Sequence, residues 1–93
     1  MLRARTCAML LNQIHGLKKI VADDGKEVRR LQAELARLRA EPHPDPAKIA
    51  QVEAELAAAQ QKLSDDQDAL TDVQSDYDEH CGGGTAAGGT TEG

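Results

Sequence analysis

The stretch "EPHPDPAK", residues 41–48, decides the fold. Its prolines at 42, 44 and 46 each lack a backbone donor, and each pushes the residue before it out of helical geometry, so no helix runs through the segment. The same stretch then restarts one. Asp45 is a favoured N-cap, and the proline that follows suits the first helical position, where its missing N–H has no helical partner to lose. The segment reads as a tight connection between two helices.

Both flanks carry the pattern that such a connection needs. Upstream, Cys7, Leu10, Ile14, Leu17, Val21, Asp24, Val28, Leu31, Leu35 and Leu38 follow one another at alternating spacings of three and four. Downstream, Ile49, Val52, Leu56, Ala59, Leu63, Asp66, Leu70, Val73, Tyr77 and His80 do the same. This is the a/d repeat of a coiled coil. Folding the chain back at the turn pairs Leu38 with Ile49, Leu35 with Val52, Leu31 with Leu56, Leu17 with Leu70 and, at the far end, Cys7 with His80, without an insertion. On the flanks the register brings Glu41 near Lys48 and Glu27 near Lys62, and sets Glu34 near Glu55. The expected fold is all-α: an antiparallel two-helix coiled-coil hairpin over residues 1–81, with helices at about 3–41 and 46–81 and a turn at 42–45. The remainder, 82–93, is rich in glycine and threonine and has no large apolar side chain to repay the entropy of ordering, so a disordered tail is expected, with Gly82 suited to capping the second helix.

Composition agrees with a thin helical protein. Tyr77 is the only aromatic residue among 93, which leaves little for an ordinary globular core or a large catalytic pocket. The net charge of −5 conceals a split: residues 1–40 hold nine Lys or Arg against four acids, and residues 41–93 hold two Lys against twelve. Each half is the other's counter-charge, which argues against nucleic acid or an anionic membrane as a partner. The apolar run near the start is broken by Asn12 and Gln13 before it reaches the length of a secretory leader, and no segment is long enough to span a membrane. A cytoplasmic location is the expectation, and stable disulfides are uncommon there.

The hairpin brings Cys7 close to Cys81, one residue past the layer shared with His80. Three readings stand. Cys7 is a small core residue and Cys81 a free thiol; or the two form a disulfide, closing a loop of more than seventy residues for a stabilisation on the order of 4 kcal/mol; or Cys7, His80 and Cys81, with Asp76 one turn before His80, hold a metal such as zinc. No C-x-x-C pair supports the last, and neighbouring residues of a helix point in different directions. No resident cofactor is expected.

Asp24 and Asp66 both fall on the seam, in adjacent layers and on opposite helices. Two carboxylates buried together raise at least one pKa. Paired carboxylates do acid–base work in enzymes, but here no nucleophile or second catalytic group accompanies them, so no catalytic residue is assigned and the pair reads as a polar break that fixes register. Gly25 beside it is a place for the first helix to kink. His15 and His43 read as solvated, and the acidic residues of the second helix lack the spacing of a calcium loop.

Met9, Leu11 and Ile20 occupy c, e and g positions of the first helix, where one facing helix does not cover them. Such an excess marks association with a protein partner or a second copy, a four-helix bundle being the natural homo-oligomer. The expected function is therefore a non-enzymatic interaction or oligomerisation module, with a thiol-based redox switch or metal-binding hairpin as the alternative. In size and plan residues 1–81 are similar to a class of small secreted helical hairpins defined by a Trp-x-Gly turn and a Tyr-x-x-x-Asp/Glu export signal. The resemblance implies architecture alone, because the chain has no tryptophan and the position four after Tyr77 is Cys81.

Overall fold

The computed structural model describes residues 2–82, with side chains from Thr6 to Cys81. Of the tail expected to be disordered, 82–93, Gly82 instead belongs to a helical turn, and residues 83–93 lie outside the described residues. Two long helices, α1 (Leu2–Arg39) and α2 (Pro46–Tyr77), pack against each other, and α2 continues into a π-helical turn, Asp78–Gly82.

The connection works as its residues dictate. α1 stops at Arg39, two residues short of the position the sequence suggests. There the Ala40 N–H donates to the carbonyls of Ala36 and Arg37 at 3.1 and 3.2 Å, and the Glu41 N–H donates to Leu38 at 3.3 Å. The bonds to Arg37 and Leu38, three residues back, tighten the last turn, and Pro42 bars the backbone of Glu41 from continuing it. Arg37 and Arg39 lie in that last turn, where positive charge suits the helix dipole. α2 opens on its cap: Asp45 Oδ1 accepts the N–H groups of Ala47 at 3.0 Å and Lys48 at 3.4 Å, and the Asp45 carbonyl takes the Ile49 N–H at 3.0 Å.

The chain divides into two compact units. In the unit Ile20–Asp66, Leu31, Leu35, Leu38 and Val52 form the core, with Ile49, Leu56 and Ala59 packed against it. These are the layers that the folded heptads pair. The other unit takes α1 up to Lys19 and α2 from Gln67. Here Ile14 is buried, and Cys7, Leu10, Leu17, Leu70, Val73 and Tyr77 are half-buried. Every heptad position named above is buried or half-buried except His80, which is exposed.

On the flanks, geometry departs from the simple pairing of opposite charges across the seam. Glu27 and Glu41 do not reach Lys62 and Lys48; each pairs within its own stretch, Glu27 with Arg30 at 2.7 Å and Glu41 with Arg37 at 3.5 Å. A guanidinium one turn away on the same helix face offers a fork of donors that a lysine on another helix does not match. The expected repulsion between Glu34 and Glu55 is offset by Arg30. It bonds Glu34 at 3.4 Å, and Glu27 first, then Glu34 and Glu55, hold its pKa above the usual arginine value. Arg39 joins the helices by pairing with Glu53.

α1 runs unbroken through Asp23-Asp24-Gly25, where a kink was a possibility in the sequence. Two glycines therefore sit inside a continuous helix, where glycine is less favourable than alanine by up to ~1 kcal/mol. A methyl group at Gly16 would meet nothing within 4 Å, and one at Gly25 would meet only the Arg29 guanidinium at 3.4 Å. Gly16→Ala and Gly25→Ala are each expected to raise unfolding free energy by about 0.5–1 kcal/mol in chemical denaturation. A loss of stability at Gly25 would mean that the helix relies on a bend there.

Candidate functional site

Two groups of side chains depart from a plain apolar seam. The first lies in the unit Ile20–Asp66. Asp24, at a seam position of α1, is 9% exposed, and Asp66 of α2 is half-buried. The sequence places two carboxylates here; the structure adds a third member. Lys62 Nζ donates to Asp24 Oδ1 at 3.0 Å and to Asp66 Oδ2 at 2.8 Å, bridging the helices with its own chain largely in solvent. Asp24 Oδ2 is buried without a hydrogen-bond partner among the described atoms.

These surroundings divide the two acids. The carboxyl of Asp24 is raised above the usual carboxylate range, first by the Asp66 carboxyl beside it and then by burial, against the opposing pull of Lys62. Asp66 is lowered, first by its pairing with Asp24 and then by the Lys62 ammonium. Lys62 is raised by Asp66 and Asp24 together. The signal for Lys62 was present in the sequence: it stands four residues before Asp66, on the same face of α2.

The second group closes the other unit. Cys7 and Cys81 are joined by a disulfide, with Cα atoms 5.8 Å apart, within the range such a bond requires. Both sulfurs are thus engaged with each other, and neither cysteine is free. His80 does not join them. Its side chain is 64% exposed and lies 3.7 Å from Glu79, so the seam layer expected to pair Cys7 with His80 pairs Cys7 with Cys81. Among the described residues no group of three or more His, Cys, Asp or Glu is arranged to hold a metal ion.

Among the described residues, Met9, Leu11 and Ile20 are the exposed large apolar side chains, at 58%, 38% and 41%. His15 and His43 are exposed as well. No described helix is long and apolar enough to cross a membrane. No family model matches the chain, and no similar curated protein or solved structure was found.

The acid pair has a pH signature. A carboxyl raised on folding contributes stability that is fully present below its ordinary value of 3.8 and is lost as pH rises through the raised value. Asp66, being lowered, contributes above 3.8 and loses that contribution as pH falls. Asn at position 24 keeps an acceptor for Lys62 and gains a permanent donor toward Asp66. Asp24→Asn is therefore expected to melt higher than the parent at neutral pH, with the difference closing as the pH falls below 3.8, where Asp24 is protonated in folded and unfolded chains alike. Thermal melts between about pH 3 and about pH 8 check this, and a difference that is constant across the range would mean Asp24 does not titrate between the two states.

Proposed function

We propose that the chain is a non-enzymatic coiled-coil module for protein association, with a second copy of itself as the first partner. The observation that carries this reading is the exposure of Met9, Leu11 and Ile20 on α1. Leu11 at an e position and Ile20 at a g position flank the seam on its two sides, and Met9 at c extends the g side, so α1 presents a wider apolar face than one antiparallel partner covers. Helices of four-helix bundles have faces of that width, whereas two-stranded coiled coils use the a/d stripe alone. The seam of the unit that holds Met9 and Leu11 supports the reading, because Leu10, Leu17, Leu70 and Val73 remain only half-buried there.

A second reading rests on the disulfide. In a reducing cytoplasm, disulfides are mostly transient and redox-sensing, and Cys7–Cys81 would then act as a switch; in an oxidising compartment it would be a staple closing a thin domain.

The association reading is tested on the full chain by light scattering and sedimentation. The parent is expected to form a dimer of hairpins. Leu11→Glu combined with Ile20→Lys is expected to convert it to a monomer while circular dichroism retains most of the helix signal, since neither residue belongs to the seam. A parent that remains monomeric at high concentration removes self-association and leaves a different protein as the partner.

A further inference from the structure

The terminal layer does not follow the geometry that governs the rest of α2. Heptad spacing takes the seam from Val73 to Tyr77 and then to His80, and in an α-helix residue 81 lies roughly 100° around from residue 80. The structure instead ends the α-helix at Tyr77, winds Asp78–Gly82 as a π turn, exposes His80 and half-buries Cys81 against Cys7. A π turn, with its i→i+5 bonding, takes more residues into one turn than an α turn does. The residue four beyond Tyr77 thereby takes the place on the seam that the residue three beyond it would occupy. The substitution of turn type and the substitution of Cys81 for His80 are one event.

We propose that this turn is a redox-driven register switch and that its reduced form exposes Cys81 as a thiol-modification site. The proposal rests on the second reading above and gives it a moving part. The bond to Cys7 holds Cys81 on the seam and so holds the π turn. A dithiol reductant breaks it: one thiolate of the reductant attacks a sulfur of the bond, its second thiol resolves the mixed disulfide, and two electrons and two protons leave Cys7 and Cys81 as thiols and the reductant as a cyclic disulfide. Nothing then keeps Cys81 in the layer. The turn reverts to α geometry, the commoner and better-bonded form, His80 swings in opposite Cys7, and the Cys81 thiol leaves the layer for the solvent-accessible flank of the seam. There its thiolate can attack a small-molecule or protein disulfide, forming a mixed disulfide and releasing one thiolate. Cys7, facing α2 across the seam, is the shielded member of the pair.

The test compares the full chain oxidised, reduced by dithiothreitol, and carrying Cys7→Ser. Intact mass is expected to rise by two hydrogen atoms on reduction of the parent. Backbone chemical shifts of residues 78–81 are expected to move to α-helical values both on reduction and in Cys7→Ser without reductant. After reduction, iodoacetamide is expected to alkylate Cys81 on the order of tenfold faster than Cys7, because access controls thiol reactivity. If the mass shift occurs while the shifts of 78–81 stay as in the oxidised chain, or the two cysteines alkylate at equal rates, the register switch is overturned and the redox reading survives as a plain clasp. If oxidised protein shows no disulfide by mass, the redox reading fails and the switch falls with it.

Discussion

The contact on which the other layers depend is the first one after the turn, where Leu38 of α1 and Ile49 of α2 close the Leu31–Val52 core. The prolines and the Asp45 cap leave little freedom in where α2 begins, so this contact fixes which residue faces which in the unit Ile20–Asp66. Coiled-coil faces forgive little: side chains lock into holes formed by four residues of the facing helix, and a slip by one residue rotates the apolar stripe of one helix away from the other. The turn is thus a gauge as well as a connection. Its prolines act mainly on the unfolded chain, by narrowing the conformations from which that first contact is made.

Given the register, the polar layer has a rationale that apolar packing alone does not supply. An apolar heptad stripe without interruption accommodates slips by a whole repeat and several helix numbers. Asp24, Asp66 and Lys62 make sense together only when α1 and α2 are aligned as they are, since a slip strands a buried carboxylate without its ammonium. The layer stands at the limit of the turn-proximal unit, whose last residue is Asp66.

What the sequence made legible was whatever depends on period and on local backbone chemistry. Two heptad runs of matching length, three prolines and an Asp-Pro restart specify a hairpin with little help from tertiary context, and the half-buried or buried state of each stripe residue up to Tyr77 follows. Choices among competing side chains were less legible. Glu27 had both Arg30 and Lys62 within plausible reach, and rotamers and helix faces, which a linear register does not encode, gave it to Arg30. Lys62 was in turn left for the acids. The end of α2 escaped for a different reason: a heptad count assumes one turn type throughout, and the π turn changes the count where Cys81 replaces His80.

Tyr77 gives the molecule an optical asymmetry. It is the only aromatic side chain, half-buried on the stripe one position ahead of the π turn and four residues before Cys81. Intrinsic fluorescence of this protein is therefore a local gauge of the terminal layers and blind to the leucine core beside the proline turn. Circular dichroism, in contrast, sums over both helices. Where the two signals are followed together during unfolding, coincidence means that the two units melt as one cooperative body, and a gap between them measures how far the end near Tyr77 loosens before the core does.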